Sequence, residues 1–209
     1  MTEMTPIFEL LSFLVAGYET SAFTIIAALF LLGVNEEVQN RAREEIKLIF
    51  EENKNEDLNR EDTNKMHYLE CVINETMRMY PPIPFFGFKA ESDVNIDGYT
   101  ISKGENIIFP LTVIHENNDY FSNPRKFNPE RFVNRNLSEF DGAFMPFGKG
   151  RRLCIGNRFS MLEMKIMLAN MLHKYSWRYE GDVDDFKVKI LIGATIDCAV
   201  NLTFSKLNK

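Results

Sequence analysis

Between Leu10 and Val34 the chain is almost unbrokenly apolar, and after that the apolar residues fall into stripes. Apolar nearly all round, residues 8–33 predict a long helix at the centre of a larger fold. The run is long enough to cross a bilayer. Yet Gly17, Glu19 and Thr20 sit in its middle, and an ionised carboxylate at bilayer depth costs about 3 kcal/mol, so the run reads as a buried helix. Residues 35–52 predict a second helix, with Val38, Ala42, Ile46, Ile49 and Phe50 on one stripe. Asn35 stands at its N-cap, and Glu36 and Glu37 favour its dipole. Residues 53–65 are charged and predict an exposed loop. Residues 66–80 put Leu69, Val72, Ile73, Met77 and Tyr80 on one helix face, and Pro81, Pro82 and Pro84 stop it. The pattern then shortens to strands at 94–96 and 99–101 about an Asp97-Gly98 turn, and at 106–111. Residues 127–147 read as irregular, 155–173 as an apolar helix and 187–204 as strands. The fold class is α+β, mainly α-helical with small β-sheets.

Composition narrows the function classes. The 209 residues are 45% hydrophobic, which excludes a disordered chain. A net charge of -6 argues against a nucleic-acid binder. Three scattered cysteines, Cys71, Cys154 and Cys198, make neither a disulfide framework nor a CxxC metal site, and fit a reducing compartment. The N-terminus lacks the basic and small-residue features of a secretory signal. The 18 Phe and 10 Met supply a core or an apolar ligand site.

The chemistry-bearing segment is F-G-K-G-R-R-L-C-I-G, residues 147–156. It sets Cys154 in a glycine-rich loop before an apolar helix, whose N-terminal N–H groups favour a thiolate. Gly150 and Gly156 leave room for a flat ligand, and Arg152 is suited to a carboxylate on it. Phe147 is suited to shield the sulfur from water. A buried cysteine packing as a small hydrophobe is the plainer alternative, and it stands for Cys71 and Cys198.

The segment resembles the haem-ligand loop of the cytochrome P450 superfamily, F-x-x-G-x-R-x-C-x-G, matched by Phe147, Gly150, Arg152, Cys154 and Gly156. Three further motifs follow the family's order. E-T-M-R at 75–78 resembles its E-x-x-R helix, and P-E-R-F at 129–132 its next segment; the resemblance implies a buried cluster of Glu75, Arg78 and Arg131 that locks the fold. A-G-Y-E-T-S at 16–21 resembles the oxygen-activation stretch of the central helix, which implies that Thr20 hydrogen-bonds dioxygen, that Glu19 relays protons, and that the helix opens there. A threonine back-bonded to its own turn is the plainer reading of Thr20.

The resemblance covers residues 1–209 as a partial domain, the C-terminal half of the family's fold beginning within its central helix. It points to the animal microsomal branch through Y-P-P-I-P-F-F-G at 80–87. It implies haem b with Cys154 as the iron ligand, a monooxygenase reaction of O2 with an apolar substrate, and an NADPH-dependent reductase docking near Lys149, Arg151 and Arg158. It further implies the cytosolic face of the endoplasmic reticulum membrane for a full-length parent, with no anchor or signal in this chain. Residues 82–86 and 193–196 would line the pocket by the same analogy. Two positions depart from the pattern: Phe88 where a propionate-gripping base is common, with Lys89 beside it, and Glu116 after His115 where Arg is common. Two other readings stand beside the enzyme: a haem-binding but catalytically incompetent fragment, and a non-enzymatic membrane or interaction protein. The uncovered apolar run predicts poor solubility or association.

Overall fold

The computed structural model describes residues 5–54, 57–140, 142–190 and 193–207. Helix α1 (Thr5–Val34) forms from the apolar run. Its C-terminal half is core, with Phe23, Ala27, Ala28, Phe30, Leu31 and Leu32 buried. Its N-terminal half is not: Phe8, Leu10, Phe13, Leu14 and Tyr18 are exposed. The expectation of a helix buried along its length therefore holds only from Ser21 onward. A helix apolar on every side carries no periodicity to say which stretch has neighbours. By length and composition the stretch Pro6–Val34 also passes as a membrane span.

Helix α2 (Glu36–Asn53) buries Ala42, Ile46, Ile49 and Phe50 as its stripe predicts, with Gln39 among them. Asn35 does not cap it. Its Nδ2 instead donates to the Leu31 carbonyl at 2.8 Å, closing α1 rather than opening α2. The expected loop at 53–65 contains α3 (Arg60–Lys65), held by a capping box between Asn59 and Asp62; residues 55 and 56 lie outside the described residues. Helix α4 (His67–Met79) follows, and ten of its thirteen residues are buried, Glu75 and Arg78 included.

Strands β1 (Phe85–Lys89), β2 (Val94–Ile96), β3 (Tyr99–Ile101) and β4 (Asn106–Pro110) make two antiparallel pairs. Asp97 and Gly98 take positive φ of 49° and 86°, the tight turn that matches the twist of β2 and β3. The strand expected to 111 ends at Pro110, and α5 (Leu111–His115) begins there. The irregular stretch 127–147 holds two 3₁₀ turns, Pro129–Phe132 and Leu137–Phe140, with residue 141 outside the described residues. Helix α6 (Asn157–Lys174) runs straight into β5 (Tyr175–Tyr179). Strands β6 (Val188–Ile190), β7 (Ala194–Ile196) and β8 (Leu202–Lys206) complete the fold, β6 pairing with β7 and β8 with β5. Residues 191 and 192 of the expected strands lie outside the described residues.

The main core joins α1, α2, α4, α6 and β5. Phe30 stacks on Phe186 and meets Tyr179 edge-on. Gln39 is buried but satisfied. Its Nε2 donates to the Leu32 and Trp177 carbonyls, and its Oε1 accepts from Trp177 N, so one side chain ties α1, α2 and β5 together. Trp177 Nε1 donates to the Leu29 carbonyl at 2.8 Å. A smaller aromatic core gathers Phe121, Phe132, Phe140 and Phe144 around Cys71. Burial there pushes the Cys71 thiol up to about 11, which suits its packing role. The molecule is α+β, mainly helical with small antiparallel sheets, as the sequence predicts.

Candidate functional site

On α4 the i,i+3 spacing brings Glu75 and Arg78 onto one buried face. Arg78 Nε donates to Glu75 Oε2 at 2.7 Å, and Arg78 Nη2 to Oε1 at 2.9 Å. The guanidinium also reaches the His115 and Pro124 carbonyls at 2.9 and 2.7 Å, and lies over the Phe121 ring. Asn128 N and Arg131 Nε complete the Glu75 carboxylate at 2.9 and 3.2 Å. Arg131 in turn holds the carbonyls of Ser122, Asn123 and Lys126. Paired and fully hydrogen-bonded, these charges tolerate burial. The cluster thus fastens residues 122–131 to α4, and those residues lead toward the cysteine loop.

The Cys154 loop is built in the opposite way. Gly148 and Gly150 take φ of +76° and +69°, the left-handed region where a side chain is strained. A short 3₁₀ turn, Gly150–Arg152, follows, and Cys154 N donates back to the Phe147 carbonyl at 2.9 Å. Asn157 Nδ2 holds the Cys154 carbonyl at 2.7 Å, three residues before α6 takes over. The Cys154 thiol is exposed, and so are Leu153, Ile155 and Phe159 around it. Phe147 is half-buried against the main core. Arg152 is exposed, and its guanidinium makes no hydrogen bond or ion pair among the described residues.

The loop's glycines differ in what their backbone requires. Gly156 has ordinary φ of -84°, and a Cβ there would only touch Cys154 Sγ at 3.8 Å. Gly148, which motif reasoning passed over, is the second left-handed residue of the loop. A positive φ is invisible in a glycine's letter, so only the glycine density of 148–156 hinted at it.

Glu19 and Thr20 stand where the buried half of α1 begins, Glu19 exposed and Thr20 partly so. Thr20 Oγ1 donates to the Ala16 carbonyl at 2.8 Å, and α1 is helical without a break from Thr5 to Val34. The opened turn expected at this stretch is therefore absent; the back-bonded hydroxyl takes its place. Among the described residues no hydrogen bond or ion pair links Glu19 or Thr20 to the cysteine loop. Phe88 lies in an aromatic group with Phe86 and Phe109, at 5.8 and 6.0 Å between ring centroids. Lys89 turns toward Gly104, so no base substitutes at Phe88 itself. Glu116, Lys149, Arg151 and Arg158 are all exposed.

The donor set fits haem. Among the described residues no three His, Cys, Asp or Glu side chains gather as a site for a bare metal ion. Cys154 offers one sulfur ligand on an exposed apolar surface, which suits a metal whose remaining positions come from a flat macrocycle.

Comparison with known proteins agrees with the motifs. The cytochrome P450 family model matches residues 1–194. Cytochrome P450 4c21 of Blattella germanica is 36% identical over 191 residues, covering 91% of this chain and 38% of that relative. Cytochrome P450 4V2 of Homo sapiens is 36% identical over 168 residues, covering 80% of this chain and 32% of that one. Cytochrome P450 3A31 of Mesocricetus auratus is 34% identical over 177 residues, covering 84% and 35%. The chain belongs to the cytochrome P450 family, and it spans 32–38% of the length of these animal relatives.

Proposed function

We propose that this chain is the C-terminal, haem-thiolate part of a cytochrome P450 monooxygenase, a partial domain beginning within the central helix. The observation that carries the proposal is the exposed Cys154 thiol on its left-handed glycine loop. Cys154 Sγ is the iron ligand. Arg152, exposed and unpaired among the described residues, binds a carboxylate of the macrocycle. Phe147 limits water at the sulfur, and Gly148 and Gly150 keep side chains off the loop's ligand face. When bound, haem b supplies an iron whose thiolate ligand favours O–O cleavage, so one oxygen atom of O2 enters an apolar substrate and the other leaves as water.

On α1, Glu19 is the proton source, exposed to solvent, and Thr20 is the hydroxyl beyond it. The Thr20 hydroxyl donates to the Ala16 carbonyl, so its oxygen accepts a hydrogen bond from the Glu19 side, or the hydroxyl rotates off that carbonyl to donate. Glu75, Arg78 and Arg131 touch no reacting atom and position the chain that carries the loop. Lys149, Arg151 and Arg158 form the docking face for an NADPH-dependent reductase. The setting is the cytosolic face of the endoplasmic reticulum membrane. The bared N-terminal half of α1 favours one second reading, in which the chain as it stands takes up haem but needs further cover to turn over substrate.

Ferric haem titrated into the chain is expected to give a low-spin thiolate signal in electron paramagnetic resonance that Cys154→Ala removes. An identical signal from the variant excludes Cys154 as ligand. With reductase and substrate present, turnover separates the two readings. In a turning-over form, Thr20→Ala is expected to divert reducing equivalents to peroxide, and tight coupling in that variant removes Thr20 from the proton path.

A further inference from the structure

His115 is completely buried, yet one of its ring nitrogens has no hydrogen-bond partner among the described residues. Nδ1 lies 3.1 Å from the Arg78 carbonyl. A carbonyl only accepts, so Nδ1 carries the proton and Nε2 is a bare lone pair. Arg78 Nη1 returns the bond to the His115 carbonyl at 2.9 Å. Each side chain therefore donates to the other residue's backbone, clamping the end of α4 to the end of α5.

We infer that His115 is a positioning residue that works as an acid-sensitive latch: neutral, it joins the Glu75 cluster to the aromatic segment leading into the Cys154 loop, and protonated, it lets go. The surroundings give the reason. The ring is walled by Phe121 and Phe144, at 6.4 and 5.4 Å between centroids. From α4 the facing charge is Arg78, with Glu75 behind it. The Glu75 oxygens are already taken by Arg78, Arg131 and Asn128 N. On α5's own side Glu116 is exposed, and the backbone bond from Thr112 N to the Pro84 carbonyl ties α5 to the residue before β1, with Lys89 at the strand's far end. From residues 116–128 comes Phe121, Asp119 being exposed. A second ring proton would sit on Nε2 facing no acceptor, beside a buried guanidinium. Burial, together with Arg78, holds the imidazole down at about 4. Protonation expels the ring and frees Phe144, three residues before the Phe147 carbonyl that holds Cys154 N.

Neither readout of the test needs haem, so it is independent of the proposed reaction. With 15N-histidine in the full chain, two-bond proton–nitrogen correlation is expected to show His115 as the Nδ1–H tautomer and neutral down to pH 5. His115→Asn assigns the resonance; its amide still donates to the Arg78 carbonyl but does not titrate. The thermal midpoint of the wild type is expected to fall from pH 7 to pH 5 more steeply than that of His115→Asn. An Nε2–H tautomer, a titration midpoint at 6.5 or above in the folded chain, or equal pH slopes for the two proteins overturns the inference. Should the variant not fold, the wild-type tautomer and midpoint decide alone.

Discussion

Glu75 accepts four hydrogen bonds at a carboxylate with no exposed surface, whereas the Cys154 thiol, on the same chain, is exposed among exposed apolar side chains. Arg78 and Arg152 differ in the same way. The first guanidinium bonds a carboxylate and two carbonyls, and the second bonds nothing among the described residues. On the proposed function, the contrast separates polar groups that serve the fold from those that bind a ligand. Groups that hold the chain together complete their hydrogen bonds within it, because a buried orphan is costly. Groups that bind something else keep their capacity open and tolerate exposure.

That comparison can be broken most sharply at its two centres. Cys154→Ala should abolish thiolate ligation entirely while changing stability by no more than about 0.5 kcal/mol, since the side chain is exposed. Paired haem titration and thermal unfolding check both halves. Glu75→Ala should do the reverse, costing about 3–5 kcal/mol by leaving Arg78 and Arg131 partly unpaired in a dry site. Denaturant unfolding reads that loss, and a stable variant with full haem content contradicts the cluster's role.

Acid gives the next largest effect. The folded His115 imidazole sits at about 4, below its ordinary 6.5. Between those values the unfolded chain binds more protons, so stability falls as pH drops through that window, by at most about 3 kcal/mol. Thermal unfolding at a series of pH values from 7.5 to 4 measures it. Smallest is Gly150→Ala, where a side chain at φ of +69° costs about 1–2 kcal/mol although a Cβ meets no neighbour there. If the alanine variant is as stable as the wild type, the loop relaxes freely and is not a preformed cradle.

Much of the fold was legible because the signals were local. The stripe of α2, the i,i+3 pair on α4 and the Asp97-Gly98 turn each lie within a few residues. What escaped depends on distant partners or on capping. Helix α3 has six mostly polar residues and no apolar period; only Asn59 and Asp62 capping each other makes it. Strand β5 follows α6 with no turn residue between, so residues 175–179 carried no signal of a new element and were assigned to none. The exposure of Phe8 to Tyr18 is a matter of neighbours, which composition cannot supply. At the site, Cys154 and the Glu75 cluster were legible from motifs. His115 was not, because its bonds run to the main chain of Arg78, thirty-seven positions away, and no letter pattern records a carbonyl.

In the proposed function, Cys154 stands open for a haem iron on a loop the Glu75 cluster holds in place. The most direct test is the Soret band of the hemin-supplied chain after reduction and addition of carbon monoxide. The expected result is the strongly red-shifted band of a thiolate–carbonyl complex, lost in Cys154→Ala. An unshifted haem band in the wild type, or a red-shifted one that survives in the variant, would contradict it.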